Sequence, residues 1–529
     1  MTLRFLTAGA LVALLPTMAT AEDTLTILHV NDVHSRVEPI NRFNSTCSAE
    51  DDAEGKCFGG AARLVTAIRE AREASENPVM VLDAGDQFQG SLFYSLYKGE
   101  AAAKTMNLMG FDAMALGNHE FNHGPETIKS FVEMVNFPVL FANVEMTDAS
   151  PIAGLVPAST VIEKGGHRYG IIGIAPDDTG ELSSPGETIT FTDPVPAVQA
   201  EVDRLTADGI DRIILLSHSG LPADLRIGAA VTGVDIIVGG HSHTLLSNTD
   251  EDAAGPYPTM VASPDGETPI VQAGAYSKYL GKINVTFDDN GVVTAAVGDT
   301  MVVDGSVEKD AETDALVTEL AGPLEELRNE VVGEAAAVID GERSSCRARE
   351  CEMGNLVADA LLDRVADQGI QIAIQNGGGL RASIDAGPIT MGEVLTVLPF
   401  QNTLATFQLS GAGVRAALEN GVSQVEEGAG RFAQVAGLRY TADLSQPAGS
   451  RIVSVEVATA DGFAPLDDAA IYGVVSNNFM RRGGDGYAMF ADDATNAYDY
   501  GPGVEQVVAD YMMGAGPITP ALDGRITIR

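Results

Sequence analysis

The chain has 529 residues, of which 45% are hydrophobic, a composition typical of globular proteins and a length too great for one core, so we expect two large domains. Its formal net charge is −42. That charge argues against a nucleic-acid polymer as partner, because phosphate backbones are bound by Lys and Arg. It is typical of a solvated acidic surface, so any anionic ligand needs a local source of positive potential.

Residues 1–21 have the pattern of a secretory signal peptide. Arg4 precedes an apolar stretch from Phe5 to Leu15, and residues 19–21 (Ala-Thr-Ala) form a small-residue cleavage site. A membrane anchor is disfavoured, because this stretch is too short for a hydrocarbon core of about 30 Å. Residues 525–529 are not a hydrophobic tail, so no lipid anchor is expected. We therefore predict a periplasmic or secreted protein.

Five apolar runs in the first half of the chain predict buried parallel strands. They span residues 26–28, 79–82, 114–116, 213–216 and 236–238. A polar motif follows each run. The motifs are Asn31-Asp32-Val33-His34, Gly85-Asp86, Gly117-Asn118-His119-Glu120, Ser217-His218-Ser219-Gly220 and Gly239-Gly240-His241-Ser242-His243. Because open α/β sheets place their sites at the carboxyl ends of strands, we expect the motifs to converge.

The residue types in these motifs predict a centre for two divalent ions. Imidazole and carboxylate both suit Zn²⁺ and Mn²⁺, and two ions about 3.5–4 Å apart can clamp the attacking and leaving oxygens of an in-line displacement. Turns and core histidines are the alternative, but five motifs in this order, each after a strand, favour a site. His119 is expected to face substrate. The predicted ligands are Asp32, His34 and His243 at one ion, Asp86 as the bridge, and Asn118, His218 and His241 at the other.

The rest of the chain predicts two domains and a connector. Strand-like runs alternate with helical patterns at 60–76 and 194–208, which indicates a layered α/β domain over residues 22–308. Residues 309–334 are predicted to form a helical linker and hinge, with an apolar stripe at Leu316, Leu320, Leu324 and Leu327. Residues 335–529 form the second domain, with strands predicted at 371–374 and 470–475. That domain contains no histidine, so it offers no imidazole ligand.

The motifs resemble those of the calcineurin-like metallophosphoesterases, and from Leu25 to Ile528 the chain resembles the 5′-nucleotidase branch of that superfamily. Residues 346–355, 376–381, 398–400 and 478–486 carry the resemblance in the second half. It implies a four-layer α/β/β/α metallophosphoesterase domain, followed by an α+β nucleotide-binding domain. It also implies two divalent metal ions, with zinc expected and manganese, cobalt or magnesium as alternatives.

The resemblance implies a nucleoside site in the second domain. Arg347 and Arg381 would fork onto phosphate or ribose oxygens. Phe400 and Phe479 would sandwich a base, each stack being worth roughly 1–3 kcal/mol. Asp485 would accept the ribose hydroxyls, and Asn376 would read a base edge. For the two rings the alternative is core packing, and for the glycines around Asn376 and Asp485 it is simple turns.

The chain has four cysteines, Cys47, Cys57, Cys346 and Cys351, which allow three disulfide connectivities. Pairing within each close pair costs least in loop closure, and the resemblance implies the bonds Cys47–Cys57 and Cys346–Cys351. A Cys₄ zinc site is disfavoured, because no Cys-x-x-Cys spacing occurs.

Two positions depart from the pattern of this branch. The branch usually has Asp three residues after the catalytic histidine, where this chain has Asn122. An amide oxygen can accept a hydrogen bond from His119 but has no charge with which to stabilise an imidazolium. The second departure is His243, because the animal enzyme of the 5′-nucleotidase branch has an amide side chain at this position. It gives a Gly-His-x-His pair that should tighten the first metal position.

The predicted activity is the metal-dependent hydrolysis of nucleoside 5′-monophosphates such as AMP by in-line attack of metal-bound hydroxide, with His119 and Asn122 as catalytic residues. The partner is a small nucleotide, and the protein is expected to be a monomer or homodimer without a membrane anchor. Alternative activities are those of a 2′,3′-cyclic-nucleotide phosphodiesterase with 3′-nucleotidase activity and a UDP-sugar or nucleoside-diphosphate hydrolase. A non-catalytic nucleotide-scavenging protein would have lost metal ligands, and none is lost here.

Overall fold

The computed structural model describes residues 23–529, except residues 43, 45, 401 and 500. The predicted signal peptide, residues 1–21, lies outside the described residues. No helix within the described part of the chain is both long and apolar enough to cross a bilayer.

The first domain contains two extended sheets and their covering helices. Its strands are β1 (Asp23–Val30), β2 (Val79–Asp83), β3 (Ala113–Ala115), β4 (Val139–Leu140), β5 (Val144–Met146), β6 (Ser159–Lys164), β7 (His167–Ile174), β8 (Ile189–Phe191), β9 (Ile213–Ser217), β10 (Ile236–Gly239), β11 (Thr259–Ser263), β12 (Gly266–Val271), β13 (Tyr279–Phe287) and β14 (Val293–Val302). Its helices are α1 (Ala49–Ala53), α2 (Ala61–Glu73), α3 (Leu92–Tyr97), α4 (Glu100–Met109), α5 (Pro125–Met134), α6 (Thr179–Leu182), α7 (Pro194–Ala207) and α8 (Leu221–Ala230).

The predicted parallel strands are confirmed. One sheet has the order β14-β13-β1-β2-β3-β4, and the other has the order β11-β12-β10-β9-β7-β6. β1, β2 and β3 run parallel in the first sheet, as do β9 and β10 in the second. Val30 pairs with Asp83 and Gly239 pairs with Ser217, so neighbouring strands end level with one another. The polar motifs that follow them therefore start from the same edge of each sheet.

The two sheets pack face to face on apolar side chains that alternate along each strand. Leu25, Ile27 and Leu82 from one sheet meet Ile171, Leu216 and Val238 from the other in a fully buried cluster. Helices α2, α4 and α5 cover the outer face of the first sheet, and α7 and α8 cover that of the second. These are the four layers, α/β/β/α, that the resemblance implies.

The connector helix α9 (Ala311–Arg328) is shorter than the predicted span 309–334. The side chain of Asp310 caps its first turn by accepting the N–H of Thr313 at 3.0 Å. Val317, Leu320 and Leu324 are buried against the first domain, whereas Leu316 and Leu327 are only partly covered. The chain becomes a strand from residue 331, because its Val-rich segment pairs with a strand of the second domain. The division at residues 308 and 335 stays a prediction.

The second domain is a mixed sheet flanked by helices, with smaller sheets beside it. Its strands are β15 (Val331–Ala335), β16 (Ile372–Asn376), β17 (Gly387–Thr390), β18 (Leu404–Ser410), β19 (Ala433–Ala436), β20 (Leu438–Ala442), β21 (Ile452–Thr459), β22 (Gly462–Pro465), β23 (Ile471–Asn477), β24 (Thr495–Tyr498) and β25 (Ile526–Ile528). Its helices are α10 (Arg343–Cys346), α11 (Glu352–Arg364), α12 (Met391–Val397), α13 (Gly411–Gly421), α14 (Asn478–Arg481), α15 (Ala488–Asp492) and α16 (Val504–Ala515).

The main sheet of this domain has the order β19-β16-β23-β18-β24. β16 and β23 are parallel neighbours, and β18 runs antiparallel to β23. Asn376 at the end of β16, Phe479 just after β23 and Phe400 just before β18 therefore lie at one edge of the sheet. This edge carries the predicted nucleoside site.

Candidate metal centre and nucleoside site

Five of the seven predicted metal ligands have an unusual backbone conformation. Asp32, His34, Asp86, His241 and His243 all have φ between 51° and 71°, a left-handed conformation that non-glycine residues rarely adopt. Hydrogen bonds between the loops impose it. The N–H groups of Asp32 and His34 donate to the carbonyls of Gly85 and Asp86, each at 2.9 Å. The two loops are thus fastened to each other before any ligand binds.

These loops bring six of the seven predicted ligands together, all except Asn118, and place His119 beside them. Asp32, His34 and His243 form one group, His34, Asp86 and His119 a second, and Asp86, His218 and His241 a third, each with ligand atoms within 4.8 Å of one another. His34 and Asp86 each belong to two groups, so the groups form one continuous centre. Asp86 lies at its middle, as expected of a bridging carboxylate.

In His218 and His34, the hydrogen bond made by one ring nitrogen determines which nitrogen faces the centre. Nδ1 of His218 lies 2.6 Å from the carbonyl oxygen of Ala84, and Nδ1 of His34 lies 3.2 Å from that of Phe88. A carbonyl only accepts, so each Nδ1 carries a hydrogen, and in the neutral ring each Nε2 presents a lone pair. Nε2 of His34 lies 3.0 Å from Nε2 of His243 and 3.8 Å from Oδ1 of Asp32.

The electrostatics of the centre favour a cation. Although burial lowers the pKa of His218, the carboxylates of Asp86 and Asp32 raise it to about 10. Burial would raise the pKa of Asp86, but His218 and His119 hold it well below its usual range. Burial and the neighbouring His218 lower the pKa of His241 to about 3, so this imidazole stays neutral. Metals bind neutral imidazole and ionised carboxylate, so a bound metal ion would replace the proton on His218 as the positive charge beside Asp86 and Asp32.

Several buried polar atoms of the centre have no hydrogen-bond partner within the described part of the chain, which shows whether its residues fit metal ions. Oδ2 of Asp86, Nε2 of His218 and Oδ1 of Asn118 are buried, and no described residue satisfies them with hydrogen-bond geometry. Buried polar atoms normally have partners, and metal coordination would provide them here. Both carboxylates and all the imidazoles are donors that suit divalent transition metals. The residues therefore fit a dinuclear metal centre, whose metal identity the donor set alone does not fix.

Glycines leave the space that the centre needs. A Cβ on Gly117 would lie 2.2 Å from Oδ1 of Asp86, and a Cβ on Gly240 would lie 2.9 Å from Nδ1 of His218. Both distances are below van der Waals contact. These positions require glycine because the ligand side chains pass directly over the backbone.

Glu120 is a buried residue of the centre that the sequence reasoning missed. Its carboxylate accepts the N–H groups of Gly117 at 2.7 Å, Gln87 at 2.8 Å and Asp86 at 3.1 Å. It thereby ties the Gly117–Glu120 loop to the loop that carries Asp86. Burial and the charge of Asp86 raise its pKa to about 7. The available signal was an acidic residue inside a motif that follows a buried strand.

The ring of His119 packs edge-on against that of His34, with centroids 5.2 Å apart. Nδ1 of His119 lies 2.7 Å from Oδ1 of Asn122, the bond expected for this pair. Nδ2 of Asn122 in turn donates to Oγ of Ser183 at 3.2 Å. Chemistry by His119 therefore goes through Nε2.

The predicted nucleoside residues cluster in the second domain. Nδ2 of Asn376 donates to Oδ2 of Asp485 at 2.7 Å, so these two side chains act as one unit. Asn376, which is predicted to read a base edge, also positions the carboxylate of Asp485. The guanidinium of Arg381 lies 5.4 Å from the ring centroid of Phe400, and Phe479 is 45% exposed, which is not core packing.

Arg343 is a second residue that the sequence reasoning missed. Burial lowers the pKa of both Arg347 and Arg381, and the charge of Arg343 lowers it further. Three guanidinium groups thus share one region of a strongly acidic protein. They are a local source of positive potential for an anionic ligand.

The disulfides have the local pairing that the resemblance implies. Cys47 is joined to Cys57 and Cys346 to Cys351, with Cα atoms 6.0 and 5.1 Å apart. The second bond closes the short loop that holds Arg347. It also fixes the start of α11, where the sulfur of Cys351 accepts the N–H of Gly354.

A cleft of about 700 Å³ opens between the two domains. Asn122 and Ser183 line it from the first domain, and Arg364, Glu505 and Gln506 line it from the second. Asn122, the hydrogen-bond partner of His119, therefore borders a space that both domains shape.

Comparison with known proteins agrees with this geometry. Residues 25–245 match the family model for calcineurin-like phosphoesterases, and residues 331–492 match that for the 5′-nucleotidase C-terminal domain. The chain is 39% identical to a snake venom 5′-nucleotidase of Naja atra over 525 residues, or 95% of this chain and 98% of that protein. The chain belongs to the 5′-nucleotidase family. It is a metallophosphoesterase that hydrolyses nucleoside monophosphates.

Solved structures place this 5′-nucleotidase among bacterial relatives as well. It is 42% identical to a 5′-nucleotidase precursor from Thermus thermophilus, with a TM-score of 0.62 and coverage of 96% of this chain and 99% of that one. It is 27% identical to an NAD nucleotidase of Haemophilus influenzae, with a TM-score of 0.76 and the same coverage. The likeness therefore spans both domains.

Proposed function

We propose that this 5′-nucleotidase acts on nucleoside 5′-monophosphates such as AMP, with the phosphate at the dinuclear centre and the nucleoside on the second domain. The observation that carries the proposal is the continuous group of ligand atoms from Asp32 to His243, with Asp86 shared at its middle. The ligands are Asp32, His34, Asp86, Asn118, His218, His241 and His243.

Two divalent ions held by these ligands would supply the activation of a water molecule and the polarisation of the phosphoryl oxygens. The chain provides the remaining groups. Nε2 of His119 stabilises charge on the transferred phosphoryl group, together with the amide of Asn118. Asn122 orients His119 through the bond to Nδ1. Zinc is the proposed metal, because imidazole and carboxylate together suit it well.

The second domain holds the nucleoside. Phe400 and Phe479 stack on the base, Asp485 accepts the ribose hydroxyls from its bond with Asn376, and Arg347 and Arg381 bind oxygens of the phosphate or ribose. Because the metal ligands belong to the first domain and these residues to the second, we infer that closure about the connector α9 completes the site.

The Haemophilus influenzae relative is an NAD nucleotidase, and NAD is a nucleoside diphosphate derivative. Hydrolysis of nucleoside diphosphate derivatives is therefore the second candidate activity. The three guanidinium groups, which include Arg343, favour a second phosphate as well as the first.

Two further features support an exported enzyme, either periplasmic or secreted. Two disulfides form stably in oxidising compartments and are rare in the cytosol. Residues 1–21 have the sequence pattern of a signal peptide, and we propose that they are removed on export.

Hydrolysis of a panel of substrates tests the proposal, with nucleosides and nucleotides separated by chromatography as well as phosphate measured, because opening of a cyclic phosphate or cleavage of UDP-glucose releases no phosphate by itself. The panel contains AMP, 3′-AMP, 2′,3′-cyclic AMP, ADP and UDP-glucose, each assayed with Zn²⁺, Mn²⁺ or Co²⁺. We expect the highest kcat/KM with AMP. Faster turnover of the cyclic nucleotide or of 3′-AMP would overturn the choice of 5′-monophosphates, and faster turnover of ADP or UDP-glucose would favour the second candidate.

A further inference from the structure

Two consecutive hydrogen bonds connect His119, the proposed catalytic histidine, to a residue of a different loop. Nδ1 of His119 donates to Oδ1 of Asn122 at 2.7 Å, and Nδ2 of Asn122 donates to Oγ of Ser183 at 3.2 Å. Ser183 belongs to a different segment, just after α6 and 61 residues further along the chain. The amide of Asn122 is thus held at both of its ends.

The segment of Ser183 is docked onto the turn that carries the histidine. The N–H of Ser183 donates to the carbonyl of Thr179 at 3.0 Å, and the N–H of Ser184 donates to the carbonyl of Phe121 at 3.3 Å. Phe121 ends the short turn His119–Phe121. The backbone therefore fixes the hydroxyl of Ser183 relative to the imidazole.

Asparagine needs such support more than aspartate does. A carboxylate paired with an imidazole forms a charge-assisted hydrogen bond, which is roughly twice as strong as a neutral one. Its two oxygens are also equivalent, so either can face the ring. An amide forms the weaker bond and has only one oxygen, so a rotation of its plane removes the acceptor from His119.

We propose that Ser183 is a positioning residue that holds the amide of Asn122, and through it the imidazole of His119, in the geometry for phosphoryl transfer. Ser183 acts through Asn122 and takes no part in the chemistry. The inference rests on the proposed role of His119.

A double-mutant cycle tests this coupling. The variants are Ser183→Ala, Asn122→Asp and the pair together, each assayed for kcat and KM with AMP and with p-nitrophenyl phosphate. Ser183→Ala should lower kcat about tenfold on both substrates, the usual scale for loss of an orienting partner, and leave KM nearly unchanged. In the Asn122→Asp background the same change should cost less than about twofold, because a carboxylate holds the ring without the hydroxyl.

Two further variants serve as controls. Ser183→Thr keeps the hydroxyl and should keep most of the activity, and Ser184→Ala changes the same loop without removing the bond to Asn122. Thermal unfolding of every variant shows whether the fold is intact. If Ser183→Ala does not fold, Ser183→Cys supplies a folded variant with a much weaker acceptor for Nδ2.

An equal cost of Ser183→Ala in both backgrounds would overturn the inference, since the serine would then act on substrate or on the loop as a whole. If Ser184→Ala lowers kcat as much as Ser183→Ala does, the inference is likewise overturned. His119→Ala separates this result from the proposed function. If His119→Ala keeps wild-type kcat, the role of His119 falls and the inference with it, whereas an impaired His119→Ala with an additive cycle removes the inference alone.

Discussion

Oδ2 of Asp86 lies 2.9 Å from Nε2 of His218, and neither atom has a described partner with hydrogen-bond geometry. Two buried polar atoms without hydrogen bonds destabilise the folded protein unless a third group binds both of them. A metal ion coordinated by both atoms would provide that partner. Asp86 is shared between ligand groups, so its loss should affect the whole centre.

Asp86→Asn and His241→Ala should each abolish hydrolysis of AMP while the protein keeps its fold. The ligands lie on loops at the strand ends, so their loss removes coordination and leaves the core packing intact. His167→Ala is the matched control, because His167 is a partly exposed histidine paired with Asp23 away from the centre. Bound metal is measured by atomic absorption, activity by phosphate release and fold by circular dichroism. Two metal ions per chain in an active Asp86→Asn variant would contradict the assignment.

Chelation of the wild-type enzyme should remove the same activity, and added Zn²⁺, Mn²⁺ or Co²⁺ should restore it. Metal affinity falls when ligands are protonated, so dialysis against metal-free buffer should remove more metal at lower pH. Undiminished turnover after exhaustive dialysis against chelator, with no metal left in the sample, would rule out the two-metal mechanism.

Gly117→Ala should weaken metal binding and activity by at least about tenfold. The new Cβ would lie 2.2 Å from Oδ1 of Asp86, so the carboxylate has to move out of the centre. The matched control is Gly322→Ala in α9, where an added Cβ meets no atom within 4 Å. That change should leave activity intact and add up to about 1 kcal/mol of stability. Metal titration by calorimetry compares the two variants, and equal metal affinities would show that the space at Gly117 is not needed.

Phe479→Ala and Phe400→Ala should raise KM for AMP by about tenfold and leave KM for p-nitrophenyl phosphate nearly unchanged. Each stack on a base is worth roughly 1–3 kcal/mol, and the aryl phosphate has no nucleoside to bind there. Phe463→Ala is the control, since Phe463 on β22 is 46% exposed, much like Phe479. Equal losses on both substrates would mean that the rings support the fold.

The strands and most of the candidate metal centre could be predicted from sequence, because each candidate ligand follows directly on a buried strand. Each buried run ends at a polar motif, so one periodicity places both the strand and its ligand. Asp32, Asp86 and His218 are examples, and all three lie at the edge where the parallel strands end.

The residues that were missed depend on contacts between distant segments. In the sequence Glu120 resembles any acidic residue of a turn, because its bond to the loop around Asp86 forms only in the folded protein. The role of Arg343 could not be predicted because it depends on how α10 packs beside Arg381. The role of Ser183 depends in the same way on the contact between its loop and Asn122. The end of α9 was misplaced because pairing of β15 with β17 overrides a helical pattern that continues in the sequence.

Glu505 gives the protein a pH-dependent stability that can be checked. It lies in the first turn of α16, and burial raises its pKa from 4.5 to about 7, although Arg36 of the first domain opposes the shift. Between pH 4.5 and 7 the unfolded chain therefore releases a proton that the folded protein keeps, so stability falls as the pH rises through this window. Above about pH 7 both states are ionised and the loss is complete.

Glu505→Gln should remove this dependence. Relative to wild type, the variant should gain stability between about pH 5 and about pH 8, by roughly 1–3 kcal/mol for a shift of this size. The quantity to follow is the difference in thermal midpoint between variant and wild type at about pH 5, 6.5 and 8. Glu456→Gln, a change on β21 at the partly exposed ion pair with Arg439, controls for the loss of a carboxylate. A Glu505→Gln difference that stays constant across the three pH values would show that Glu505 ionises in the folded protein as it does in the unfolded chain. The charge of Arg36 would then outweigh burial at the contact between the domains.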